Sequence, residues 1–219
     1  MSTKKAYKGV AMEGPIATWY SRTTLKDINR HKLMAGKLVE KIPAGGRVLE
    51  IAPGPGYFCI ELAKLGNFQI TGLDISKSFV EIARKNAQAA GLQINFRLGN
   101  ASDLPFENAT FDFTLCQAAF KNFSQPVKAI AEMYRVLRPG GAAVIVDMRS
   151  DATPAEIEQE LKGMHLGRVD EWMTRITFKQ MLVKTAYSVA EMESMISQTQ
   201  FGAGRIETGG IGFTIWLEK

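Results

Sequence analysis

Cysteine is scarce in this 219-residue chain: there are two, Cys59 and Cys116, each set in an apolar stretch (Tyr57-Phe58-Cys59-Ile60 and Thr114-Leu115-Cys116-Gln117). That excludes a disulfide-stapled scaffold and reads as two reduced, buried thiols in a reducing cytoplasm. Long apolar runs are missing as well. The longest, Ala142 to Val146, is far too short to span a bilayer, and the lysines near the N-terminus have no apolar run behind them. Neither export nor membrane insertion is therefore expected. Charge of one sign is not in large excess: 27 Lys and Arg against 22 Asp and Glu give a formal +5, the charges are dispersed, and the only basic cluster is Lys4, Lys5 and Lys8. Such a balance permits a nucleic-acid partner without arguing for one. Internal repeats and low-complexity segments are absent. What is present, 46% hydrophobic and 22% charged residues, is ordinary globular usage at the length of one domain.

From Arg47 onward, short β-rich runs alternate with stretches of helical spacing. Strands are expected at Arg47–Ala52, Phe68–Asp74, Ile94–Leu98, Phe111–Gln117 and Ala142–Asp147. Helices are expected at Phe58–Leu65, at Ser78–Ala90 with Ser78 as N-cap and Gly91 just beyond, and at Val127–Leu137, closed by Pro139-Gly140-Gly141. This alternation predicts an α/β fold with a doubly wound, mainly parallel sheet. Ahead of it, residues 1–24 show no sustained period and read as an arm. Apolar spacing from Leu25 to Ile42 predicts a helix or broken helix ending at Pro43. Behind it, Ala155–Gly163, a stretch around Arg168–Thr185, and Val189–Gln200 read as helical. Phe201–Glu207 and Gly212–Glu218 read as strands joined by a link too short for a parallel crossover, so the sheet of about seven strands should end in an antiparallel hairpin. The single domain thus divides into an N-terminal arm and helix covering the pocket (1–42), a ligand-binding core (43–148), a helical insert or lid (149–200) and the hairpin (201–219).

A strand, a glycine-rich turn, a helix and a second strand ending in an acid make up a nucleoside-binding half. Gly54 and Gly56 let backbone approach a ligand, and the helix that follows points free N–H groups at it. Asp74, 18 residues after Gly56, is placed to accept two hydrogen bonds from a ribose diol. A dinucleotide fingerprint would require a third glycine where Cys59 stands. Glu50 beside the turn suits an ammonium group better than a pyrophosphate. The pattern favours a cationic nucleoside.

At this point the chain resembles the class I S-adenosylmethionine (SAM)-dependent methyltransferases of the small-molecule type, whose fold is Rossmann-like. Val48-Leu49-Glu50-Ile51-Ala52-Pro53-Gly54-Pro55-Gly56 resembles the family's first motif, with Ala52 where glycine is usual, and Gly72-Leu73-Asp74-Ile75-Ser76 resembles the second. Gly99-Asn100-Ala101-Ser102-Asp103-Leu104-Pro105-Phe106 is similar to the segment that holds the adenine, and Arg135-Val136-Leu137-Arg138-Pro139-Gly140-Gly141 to the turn before strand five.

The resemblance implies that Glu50, Ala52, Gly54 and Gly56 surround the methionine part and that Asp74, with Ile75 beside it, holds the ribose. Asn100 and Ala101 would meet the adenine edge, and Gln117 the sulfonium side. Asn100 stands where Asp is common, so an amide oxygen would meet the adenine amino group. If the loop needs positive φ at Ala52, strain follows, which the flanking prolines can offset by fixing the loop in advance.

The implied reaction is a direct in-line displacement from SAM, leaving S-adenosylhomocysteine, with no metal and no covalent intermediate. A nucleophile–His–acid set is accordingly missing, and His31 and His165 read as surface or satisfied histidines. Weak catalytic candidates are Tyr20, Lys121, Asn122 and Asp147, the last of which could equally cap the segment after strand five. Trp19, Phe123, Arg149, Trp172 and Tyr187 complete the candidates for a small-molecule acceptor pocket. Met164, Met173, Met181, Met192 and Met195 suit a pocket lining or a homodimer interface equally well.

RNA or protein methylation is the runner-up. Against it stand the lack of a separate RNA-binding module and of a basic stripe interleaved with aromatics. Four clustered cysteines, as in thiol-handling arsenic methyltransferases, are not present. A non-catalytic SAM-binding accessory or sensor protein is the third reading.

Overall fold

A computed structural model describes residues 7, 8, 12–163 and 185–219. His165, Trp172, Met164, Met173, Met181 and, apart from Thr185, the helical stretch expected around Arg168–Thr185 lie outside the described residues.

The first departure from the sequence reading is at the N-terminus. Residues expected as an irregular arm form helix α1 (Gly14–Thr24), opened by Pro15 in its first turn and buried through the small side chains of Ala17 and Ser21. A 3-10 turn at Leu25–Asp27 leads into α2 (Ile28–Leu38), and a second at Val39–Lys41 ends it, so the expected helix is indeed broken. The weak period of α1 has a physical cause: its inner face needs small residues, and large apolar ones are turned outward.

The alternating core follows as β1 (Arg47–Ile51), α3 (Tyr57–Ala63), β2 (Gln69–Asp74), α4 (Lys77–Ala89), β3 (Asn95–Leu98), β4 (Phe111–Gln117), α5 (Pro126–Val136) and β5 (Leu137–Met148). The N-cap of α4 is Ser76, whose hydroxyl accepts the Phe79 N–H, and not Ser78. Strand β5 starts earlier than expected. Leu137 already pairs with Phe111, the ladder then shifts register, and it resumes at Phe113 opposite Ala142. The glycines at 140 and 141 therefore lie inside an irregular strand, where they exchange backbone hydrogen bonds with Lys219. Helices α6 (Pro154–Gly163) and α7 (Val189–Ser197) precede β6 (Arg205–Gly209) and β7 (Gly212–Glu218). Helix α7 opens on a capping box between Ser188 and Glu191.

Seven strands form one sheet in the order β3-β2-β1-β4-β5-β7-β6. The first five are parallel, and β7 runs antiparallel to both β5 and β6, as the short link requires. Apolar side chains alternate between two cores. Leu49, Ile51, Cys116 and Ile145 face α5 and α7, while Val48, Phe113, Leu115 and Val144 face α2, α3 and α4. From β1 the chain winds outward through β2 and β3, then returns to the other side of β1 as β4. Such a reversal opens a crevice at the carboxyl ends of β1 and β4, where open α/β sheets bind their ligands.

Candidate active site

Five strand ends converge on that crevice and deliver most of the residues singled out from the sequence. After β1 the chain turns through Ala52-Pro53-Gly54-Pro55-Gly56. Ala52 sits at φ +58°, the left-handed region. The strain raised by the missing glycine is thus real, and Ala52→Gly is expected to stabilise the fold by about 1 kcal/mol, read as a raised midpoint in urea. An unchanged midpoint would mean that the prolines already absorb the cost.

The two glycines of the turn divide the labour. A Cβ on Gly54 would meet nothing within 4 Å, so this backbone is open to a ligand. A Cβ on Gly56, at φ +79°, would stand 2.7 Å from Phe96 Cζ and 3.0 Å from Ala83 Cβ. Gly56 therefore serves the close packing of α3 against α4 and β3, where a side chain has no room.

Asp74, at the end of β2, is buried and ties two loops together. One carboxylate oxygen accepts the Gly54 N–H at 3.0 Å and the other the Ser76 N–H at 2.9 Å. Burial pushes its carboxyl up, and the N–H groups of Ser76 and Gly54 pull it back. Each oxygen keeps a second lone pair for a diol. Ile75 next to it is exposed, an apolar surface at the edge of the crevice.

Glu50 is only 3% exposed and accepts a hydrogen bond from the Cys59 thiol at 2.8 Å. Burial raises its carboxyl to about 7, against the pull of the Cys59 bonds. Two residues beyond Leu115, the register partner of Glu50, Gln117 shares the Glu50 face of the sheet, and its buried carbonyl oxygen has no partner among the described residues. A buried acid suits a cationic donor such as the ammonium end of an amino-acid moiety, and an acceptor left without a partner on the same face suits a ligand that fills the crevice. Asn100 follows β3. Its amide oxygen already accepts the Ser102 N–H at 3.0 Å, leaving one lone pair for a ligand, while Ala101 beside it is buried.

On the other side of β1 the catalytic candidates Lys121 and Asp147 meet. Lys121 Nζ lies 2.7 Å from Asp147 Oδ1, and the Lys121 N–H donates to Asp147 Oδ2 at 3.0 Å. Both side chains are buried. Asp147 therefore pins the 3-10 turn Phe120–Asn122 to the end of β5 instead of capping the following helix. Asn122 is exposed, and its carbonyl accepts the Lys8 N–H. Arg149 is committed to Asp151 and Glu156.

Helix α1 carries Tyr20 over the crevice. Its ring packs edge-on against Phe79, centroids 5.6 Å apart, and its hydroxyl makes no hydrogen bond among the described residues. Burial raises its hydroxyl pKa, and Asp147 and Asp74 add to the rise. Those two acids end β5 and β2, on opposite sides of β1 and β4. Trp19, by contrast, is 66% exposed and does not face the crevice with Tyr20.

The sequence reading missed how the N-terminal segment is attached. Glu13 accepts the N–H groups of Lys77 and Ser78 at 3.0 Å each, Ser76 Oγ donates to the Met12 carbonyl at 2.6 Å, and Gly14 N–H donates to Ser78 Oγ at 2.9 Å. The Ser78 hydroxyl is the main reason Glu13 stays below the usual carboxylate range. Lys8 meanwhile bonds the Tyr187 hydroxyl at 2.6 Å. Lys8 and residues 12–14 therefore touch segments on both sides of β1. An acid complementing the exposed N–H groups of α4 was the available signal.

Comparison with known proteins bears on the family and the fold. Residues 49–145 match the family model described as a methyltransferase domain. The chain is 39% identical over 108 residues to a demethylmenaquinone methyltransferase of Deinococcus radiodurans, covering 49% of this chain and 45% of that protein. It is 30% identical over 150 residues to an O-methyltransferase of Aspergillus nomiae, covering 67% and 66%. The chain spans about half the length of the first of these curated relatives. A SAM-dependent methyltransferase structure from Methanococcus maripaludis superposes with a TM-score of 0.75 at 23% identity, covering 100% of this chain and 97% of that one. With its Rossmann-like seven-stranded sheet and the methyltransferase domain at 49–145, the chain belongs to the class I SAM-dependent methyltransferase family.

Proposed function

We propose that this protein transfers a methyl group from SAM to a small-molecule acceptor by direct in-line displacement. The observation that carries the reading is the crevice at the β1–β4 switch point, where strand register puts buried Glu50 between Asp74, which links two loops, and Gln117, whose oxygen has no partner among the described residues. The relatives named for quinone and O-methylation support a small acceptor.

When bound, SAM supplies an electrophilic methyl group on a sulfonium. The chain's own residues hold and orient it. Glu50 accepts from the ammonium end, Gln117 stands on the sulfonium side, Asp74 accepts from the ribose, and the turn of Ala52, Gly54 and Gly56 surrounds the methionine part. Ile75, Asn100 and Ala101 border the adenine. Tyr20, the Lys121–Asp147 pair, Lys8 and residues 12–14 stand on the acceptor side, where exclusion of water and correct orientation supply most of the rate. The Tyr20 hydroxyl is free to orient the incoming nucleophile. Tyr20→Phe is expected to lower kcat by about 10-fold or more while leaving SAM affinity unchanged. Equal kcat for the two proteins would remove Tyr20 from the mechanism.

Glu50 gives the site a pH dependence. A cation bound beside it favours the carboxylate, so SAM affinity should rise with pH up to about 7 and then level. Fold stability without SAM runs the other way. The folded carboxyl titrates near 7 and the unfolded one near 4.5, so stability is highest below 4.5 and falls as pH rises through 7. The total loss is about 3 kcal/mol. Glu50→Gln should flatten both profiles in calorimetry and urea unfolding, and parallel profiles in wild type and variant would disprove the linkage.

To test the reading itself, the protein is incubated with methyl-labelled SAM and a size-fractionated cell extract. Label entering the small-molecule fraction is the expected result. Label in RNA or protein would replace it with the macromolecular reading, and SAM binding without transfer with a sensor role.

A further inference from the structure

Four of the seven large apolar side chains exposed among the described residues, Ile16 (44% exposed), Trp19 (66%), Leu25 (51%) and Leu33 (68%), fall within one stretch from α1 to α2; Leu65, Ile75 and Leu98 lie elsewhere. The four are not failed core residues, because the inner faces of these helices are already filled by Ala17 and Ser21 on α1 and by Ala35 and Leu38 on α2. On α1, Ile16 and Trp19 are three residues apart and share a face with Arg22; on α2, Leu33 lies three residues after Arg30 and four before Lys37.

The same stretch holds most of the chain's net charge. Between residues 14 and 41, Arg22, Lys26, Arg30, Lys32, Lys37 and Lys41 are all exposed, against Asp27 and Glu40. That is a net +4 out of the chain's +5. Four of these basic side chains lie on the consecutive helices α1 and α2, and Lys26 and Lys41 lie in the 3-10 turns that follow them.

We propose that the outer surface of α1 and α2 adsorbs the protein to a bilayer containing anionic lipids. Basic side chains draw the helices to the negatively charged headgroups, and exposed Trp, Ile and Leu enter the boundary between headgroups and acyl chains. This is peripheral adsorption, and among the described residues no helix is long and apolar enough to cross a membrane. A nucleic acid would account for the charges and for Trp19. It gives no partner to Ile16, Leu25 and Leu33, because single strands are held by aromatic stacking platforms and aliphatic side chains offer none. Because α1 also carries Tyr20, adsorption brings the acceptor side of the crevice close to the lipid surface. The adsorption itself does not depend on what is methylated.

The test is flotation of the full chain with phosphatidylcholine vesicles, with and without phosphatidylglycerol, at low and high salt. Wild type should float with the phosphatidylglycerol vesicles, release in high salt, and remain behind with phosphatidylcholine alone. Arg30→Glu with Lys37→Glu should weaken partitioning by at least about 25-fold, at about fivefold per charge. Trp19→Ser with Leu33→Ser should weaken it by about tenfold or more. All four positions are exposed, so melting curves should match wild type and separate lost binding from lost folding. SAM titration of the same samples reports separately on the proposed enzymatic function. Equal flotation with both vesicle types would overturn the proposal. So would no flotation accompanied by retention of single-stranded RNA, or by a dimer-sized particle in light scattering.

Discussion

Asp74→Ala is expected to lower SAM affinity by at least about 100-fold, the loss of two charge-assisted hydrogen bonds to the ribose at about 1.5–3 kcal/mol each. The same substitution strips the Gly54 and Ser76 N–H groups of their acceptors, so a stability cost of about 1–3 kcal/mol should accompany it. Ligand binding and loop architecture share one side chain, and the variant must be read in both. Asp74→Asn separates them, because its amide oxygen preserves one of the two loop contacts without the charge. Calorimetric titration with SAM and urea unfolding of the three proteins would check the pair of effects. Undiminished affinity in a folded alanine variant would refute the ribose assignment.

The second large effect belongs to the acceptor side. Lys121→Ala leaves the Asp147 carboxylate buried without its cation, a change expected to destabilise the fold by about 3–5 kcal/mol. Lys121→Met combined with Asp147→Asn removes both charges. The asparagine oxygen can still accept the Lys121 backbone N–H, so the double variant should regain most of the loss. Urea unfolding of wild type, single and double variants measures the recovery. A double variant as unstable as the single one would contradict the view that the pair chiefly pins the 3-10 turn to β5. A stable double variant that binds SAM but transfers no methyl group would give the pair a catalytic role beyond pinning.

The alternation of strands and helices from Arg47 to Met148 was legible because both faces of a parallel sheet are buried and its turns are marked by Gly and Pro. The hairpin was legible because its link is too short for any other connection. Glu50, Asp74 and Gln117 were placed at the crevice for the same reason: each sits at or near the end of a strand, where sequence spacing is nearly a distance. Helix α1 was not legible, because its buried face is made of Ala17 and Ser21 and its large apolar residues point to water, the reverse of the usual signal. Nor was the division between Gly54 and Gly56, which depends on Phe96 and Ala83 arriving from elements 27 and more residues downstream. The ion pair of Lys121 with Asp147 joins residues 26 apart through a strand pairing no local pattern records. Ser76, not Ser78, caps α4 because Asp74 and the Met12 carbonyl already hold it in place.

Titration of SAM into the full chain at neutral pH, by calorimetry, tests the account most directly. The account predicts one site per chain, with affinity that falls as pH is lowered below 7. Heat of dilution alone across the pH range, from a protein shown to be folded, would contradict it.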